Sequence, residues 1–175
     1  MIRPAGATSA DPSRREYTLW IPQQGLAEMM SEADQRAPFE TGGVLLGYWA
    51  ASRDAAVVEF VVGPGPRAVH RRANFTPDCE HQEREIARLY SEADGNLQYL
   101  GDWHTHPNGP AALSNKDLST LRRIARYRAA RAPHPVMLLL VGGEPWRLAG
   151  WLGELRARRW WRDGIVAHPL SLELE

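Results

Sequence analysis

Residues 101–117, Gly-Asp-Trp-His-Thr-His-Pro-Asn-Gly-Pro-Ala-Ala-Leu-Ser-Asn-Lys-Asp, constrain the fold more than any other stretch of this chain. Leu97, Tyr99 and Leu100 lead into them with the aromatic and branched residues of a strand. His104 and His106 are two positions apart, so an extended backbone points both side chains to one face. Pro107 has no N–H for a ladder and fixes its own φ, which stops the strand. A short polar loop with a second proline follows, and a helix starts near Ser114. The chain must therefore bring a strand end and a helix start together beside two imidazoles.

Two neutral imidazoles and a carboxylate from the start of the next helix make three protein ligands for zinc, which in catalytic sites keeps a fourth position for water. His104, His106 and Asp117 are the ligands this reading selects. Structural explanations exist for each part. A histidine near a strand end is commonly a satisfied polar group. Ser114-x-x-Asp117 also fits a capping box, with Ser114 as N-cap and an acid favoured in the first turn by the helix dipole. The two roles can coexist, because the zinc site itself needs Asp117 at a helix start.

His-Thr-His-Pro, six residues, then Ser-x-x-Asp resembles the signature of the JAMM metalloproteases, the MPN or JAB domain family. That signature includes an outlying Glu before a run of small and apolar residues. Glu40-Thr41-Gly42-Gly43-Val44-Leu45-Leu46-Gly47 fits it. The resemblance spans the chain from about Tyr17 to the region of Trp151. It implies one Zn²⁺ per chain, bound by His104, His106 and Asp117, which lowers the pKa of a water. It implies Glu40 as the general base that later protonates the leaving amine. It implies Ser114 as a hydrogen-bond donor to the oxyanion. Taken alone, Glu40 would be an ordinary solvated acid at a strand entrance.

The family commonly hydrolyses the amide bond after the C-terminal Gly-Gly of ubiquitin or a ubiquitin-like protein, and a tail without side chains suits a narrow cleft. This chain is compact, with no room between Asp117 and Val141 for a long insertion. It is most similar to short stand-alone bacterial JAB proteins, deubiquitinase-like enzymes. The resemblance associates these with ubiquitin-like conjugation operons, including antiphage ones, or with sulfur-carrier processing. The implied partners are the C-terminal tail of a ubiquitin-like or sulfur-carrier protein and E1- or E2-like proteins of the same operon. A peptidase acting on a sulfur carrier and a non-catalytic MPN scaffold are the alternatives. Scaffolds of the family typically lack one or more ligands, whereas this chain keeps them all.

With 175 residues and a formal net charge of zero, one domain over residues 16–175 is expected, and nothing in the total charge calls for nucleic acid or an anionic membrane. The one cysteine, Cys79, excludes an internal disulfide and suits a reducing cytoplasm. No apolar run is long enough to span a bilayer, and the N-terminus has no apolar core of a signal peptide. Residues 1–15 are small, polar and proline-bearing, the composition of a disordered tail.

Along the rest of the chain, strands are expected at residues 17–21, 41–49, 55–62, 135–141 and 146–152. Leu26, Met29, Met30 and Ala33 mark one helix, and Leu118, Leu121, Ile124 and Ala125 another. A third helix is expected from Thr76 as N-cap and Pro77 as first residue to Glu92, with Ile86, Leu89 and Tyr90 inward. Residues 67–75 are polar, and the resemblance makes Arg71, Arg72, Asn74 and Phe75 candidate substrate contacts beside the cleft; an ordinary edge strand fits them equally. The Arg/Trp-rich residues 156–162 read as a surface or interface segment, with single-stranded nucleic acid as the lesser alternative. Helices and strands alternate irregularly, which argues for an α+β (α/β) fold. The family resemblance agrees, implying a curved, mixed, mostly antiparallel sheet flanked by helices, in the layered manner of cytidine deaminases.

Overall fold

The computed structural model describes residues 16–156 and 164–175. The N-terminal tail reading and nearly all of the Arg/Trp segment fall outside these residues. In chain order the elements are β1 (Tyr17–Ile21), α1 (Gln23–Arg36), β2 (Gly42–Trp49), β3 (Ala55–Val62), β4 (Val69–Arg71), β5 (Asn74–Thr76), α2 (Cys79–Glu92), β6 (Gln98–Pro107), α3 (Asn115–Arg126), β7 (Val136–Gly142), β8 (Trp146–Arg156) and β9 (Gly164–Leu174). A 3-10 turn, Arg128–Ala130, follows α3.

Seven strands form one mixed sheet in the order β1-β3-β2-β6-β7-β8-β9, closed by parallel pairing of β9 with β1. Antiparallel pairs join β3 to β2, β2 to β6, β7 to β8 and β8 to β9, while β1 with β3 and β6 with β7 run parallel. Strand β9 has no clear signal in the sequence. Its alternation is blurred because its residues are only partly buried, and one of its two partners, β1, lies at the other end of the described chain.

Side-chain alternation divides the core into two faces. Leu19, Leu45, Ala56, Trp103, Val136, Leu138 and Leu140 point to the inner face, where Met29 and Ala33 of α1 pack. On the outer face α2 covers Val44, Leu46 and Val62 through Leu89, and α3 covers Met137, Leu139 and Val141 through Leu121. Strand β7 is apolar without alternation because both its faces are covered.

The unit that makes the site is β6-α3-β7. Two parallel neighbours need a crossover, and α3 supplies it. Its N-terminus therefore follows directly on the end of β6, where the histidines are. Gly101 and Gly42 allow the tight approach on either side of β6. A Cβ on Gly101 would stand 1.9 Å from the Val136 carbonyl oxygen, and one on Gly42 would stand 2.3 Å from that of Trp103.

Two local expectations need correction. Thr76 is the last residue of β5, paired with Val69, and the α2 N-cap is Asp78, whose carboxylate accepts from the His81 N–H at 3.2 Å. A carboxylate held by the Arg67 guanidinium is the stronger cap. Tyr90 is 49% exposed, and the inward stripe is Gln82, Ile86, Leu89 and Ala93. Gln82 can face inward despite its polarity because its amide donates to the Gly63 carbonyl at 3.0 Å.

Candidate metal centre and catalytic cleft

His104 and His106 leave the same face of β6, and Asp117 comes from the first turn of α3. His104 Nε2 lies 3.1 Å from His106 Nε2 and 3.2 Å from Asp117 Oδ1, and His106 Nε2 lies 3.6 Å from Asp117 Oδ2. Ligands about 2.1 Å from a tetrahedral ion stand about 3.4 Å apart, so this spacing fits a single metal ion. His106 Nδ1 lies 3.3 Å from the Pro110 carbonyl oxygen; that oxygen can only accept, so the contact selects the tautomer with Nδ1–H donating and the Nε2 lone pair free for a metal. Burial, then the neighbouring His104, depress the His106 pKa, favouring the neutral ligand form.

Asp117 stands where a metal ligand is needed and also closes the capping box of α3 with the N-cap Ser114, so the two readings of Ser114-x-x-Asp117 are compatible. Its Oδ2 accepts from the Ser114 N–H at 2.7 Å and from the Ser114 hydroxyl at 2.7 Å, while Ser114 Oγ accepts from the Asp117 N–H at 3.3 Å. Burial works to raise the Asp117 carboxyl, but His104 and the Ser114 hydrogen bonds outweigh it and hold the group well below the usual carboxylate range. The carboxylate is ionised and oriented by the helix start itself. The one Ser114 hydroxyl proton is engaged with Asp117 in this arrangement.

Glu40 precedes β2 and lines the same cleft, of about 560 Å³, as the three candidate ligands. Its backbone is fastened at every side. The Glu40 N–H donates to the Arg71 carbonyl at 2.8 Å, and its own carbonyl lies 3.0 Å from His70 Nδ1. The next residue, Thr41, donates its N–H to Thr105 Oγ1 at 3.0 Å and its hydroxyl to Glu32 at 2.9 Å. Hairpin β4–β5, strand β6 and helix α1 thus all hold the base of Glu40. Burial pushes the Glu40 carboxyl up, and the charge of Asp117 adds to this against His104 and Lys116. A carboxyl raised in this way suits proton transfer near neutral pH.

Of the four candidate substrate contacts, Arg72 and Phe75 line the cleft. Arg71 and Asn74 pair with each other in the hairpin, and Arg71 contributes its carbonyl to Glu40 rather than a side chain to the cleft. Arg72 also lies over the Phe39 ring at 6.0 Å. Asp102, which the motif does not include, also lines the cleft. The signal was present, since Asp102 stands two before His104 on the same strand face. Burial raises its carboxyl, and the Tyr99 hydroxyl donates to it at 2.5 Å. A β-bulge opposite Leu45 and Leu46 sets Tyr99 and Asp102, three apart, on one side of the sheet.

Two imidazoles and an ionised carboxylate open to one cleft, with a second carboxyl of raised pKa lining it, are the equipment of a metal-dependent hydrolase. Comparison with known proteins gives the lineage. The model for prokaryotic homologues of the JAB domain matches residues 22–162, and the chain belongs to that family of metalloproteases. It is similar to a probable metalloprotease of Sinorhizobium fredii, 39% identical over 80% of this chain and 86% of the relative. It is also similar to a CD-NTase/cGAS isopeptidase of Enterobacter hormaechei, 31% identical over 74% of this chain and 69% of the relative. The solution structure of protein DSY2949 from Desulfitobacterium hafniense shares the fold, with a TM-score of 0.59 and 21% identity over 90% of this chain and 94% of that one. Among the described residues no helix is long and apolar enough to cross a membrane.

Proposed function

We propose that this protein is a zinc-dependent isopeptidase that hydrolyses the amide bond after the C-terminal tail of a ubiquitin-like protein, in deconjugation or precursor processing. The observation that carries this reading is the 3.1–3.6 Å spacing of His104, His106 and Asp117 in one cleft with Glu40. His104, His106 and Asp117 would hold the zinc, which would supply Lewis acidity to a water and to the scissile carbonyl. Glu40, its carboxyl raised by burial, accepts the proton of the attacking water and delivers it to the leaving amine. Ser114, once its hydroxyl turns from Asp117, donates to the developing oxyanion. Arg72 and Phe75 line the path of an extended, side-chain-free tail. Cys79, at the start of α2, takes no part.

Relatives named as CD-NTase/cGAS isopeptidases support removal of a conjugated modifier over trimming of a linear precursor. They also make a modified nucleotidyltransferase of that class a candidate substrate here, with E1- and E2-like proteins as the conjugating partners.

The test begins with metal. Elemental mass spectrometry should find about one zinc per wild-type chain and none in His104→Ala/His106→Ala. Ubiquitin-like proteins fused or isopeptide-linked to a reporter are then incubated with the zinc-loaded chain. Cleavage after the tail by wild type, absent in Glu40→Gln, supports the reading. Failure of wild type to retain supplied zinc would sink it.

A further inference from the structure

A second concavity, of about 1470 Å³, lies between α2 and α3 and has no role in the cleavage proposed above. Its floor is apolar, with Ile86, Leu97 and Ile124. Tyr90 and Tyr127 stand at it 49% and 66% exposed, amphipathic rings of the kind that anchor protein interfaces. The charge is lopsided. Arg122, Arg123, Arg126 and Arg131 line the α3 side, against Glu83 alone from α2.

These arginines differ from those of α2. Arg84 pairs with Glu80, and Arg88 with Glu85 and Glu92, so that helix neutralises itself. Among the described residues no carboxylate lies within ion-pair distance of Arg122, Arg123 or Arg131. Arg123 also feels Asp102 of the cleft, which leaves Arg122 and Arg131 as two cations without a carboxylate on one wall of an apolar groove, and these favour an anionic occupant.

We infer that the α2–α3 groove is a docking surface for an acidic polypeptide segment that also carries apolar side chains. Such a segment sets its apolar residues on Ile86, Leu97 and Ile124 and its carboxylates against the arginine wall, where bidentate pairing is available. The α2 side bears Glu83 and self-paired charges, so a continuous phosphodiester backbone meets repulsion there. A polypeptide can confine its acids to one edge. Arg123 lines both this groove and the catalytic cleft, so a docked partner lies beside the peptidase site. The inference stands whether or not that site is catalytic.

The experiment is an NMR titration of the ¹⁵N-labelled full chain with a 12-residue peptide of alternating glutamates and leucines or phenylalanines. A lysine-for-glutamate peptide and a 12-nucleotide oligothymidylate are the competitors. Saturable shifts are expected at residues 86, 97 and 119–131. Affinity should fall at least tenfold in Arg122→Glu/Arg131→Glu and be largely kept in Arg122→Lys/Arg131→Lys, with melting temperature and zinc content unchanged. Should the reversal variant fold poorly, Tyr127→Ala, at an exposed position, gives a second reading of the same surface. Shifts lying elsewhere, affinity indifferent to the charge reversal and to Tyr127→Ala, or displacement of the peptide by oligothymidylate at lower concentration would each overturn the inference.

Discussion

Replacing Ser114 by alanine separates the roles that meet at this residue. The substitution removes the hydroxyl bond to Asp117 Oδ2 at 2.7 Å and the acceptor for the Asp117 N–H at 3.3 Å, and keeps the backbone N–H bond to Oδ2. Loss of a serine N-cap costs about 1 kcal/mol. The lost bond to an ionised, partly buried carboxylate costs about 1 kcal/mol more, taken at the low end because one N–H remains. The metal-free variant should then be about 2 kcal/mol less stable, a fall of about 1 M in the urea midpoint at a slope of about 2 kcal/mol/M. Asp117 also loses a clamp on its orientation, so zinc affinity, read by competition with a chromophoric chelator, should weaken about 10- to 100-fold. Ser114→Thr, which retains a hydroxyl, should recover most of both. If Ser114 served only the oxyanion, midpoint and zinc affinity would match wild type while turnover alone fell. That pattern would refute the argument from the helix cap.

Three further outcomes are expected. Thr105→Val keeps shape but leaves the buried Thr41 N–H without its acceptor, so equilibrium unfolding should show a loss of about 2 kcal/mol, and Glu40 beside it should lose its fixed placement. Leu139→Ala empties a fully buried position under α3, and calorimetry should register about 3 kcal/mol of destabilisation. The Arg67 fork holds the Asp78 carboxyl below its usual range, so Asp78 favours folding above its unfolded pKa of about 3.9 and that contribution fades as pH falls below it. Urea midpoints of Arg67→Met should therefore drop less between pH 6 and pH 3 than those of wild type.

The legible part of the molecule was whatever a local rule dictates. Strand alternation put His104 and His106 on one face, and the capping pattern set Asp117 at the first turn of α3; each needs only neighbours in sequence. The apolar run at 135–141 announced a strand covered on both sides. The α2 cap differs from the expectation because pairing with Val69 holds Thr76 in β5, and Asp78 takes the His81 N–H while Arg67, eleven residues away in sequence, holds its carboxylate. Tyr90 was misplaced because helical spacing gives a face but not the width of the sheet beneath it.

The sequence by itself determined the chemistry available here: two imidazoles, one capped carboxylate, a strand that must end and a helix that must begin. Local sterics and backbone hydrogen bonding are enough for that. Only the tertiary structure decided that Glu40, sixty-four residues before His104, shares their cleft. Pairing of β2 with β6 brings it there, and bonds to Arg71 and His70 hold its backbone. The raised pKa of its carboxyl likewise belongs to burial in the folded chain, which residue type and spacing do not encode.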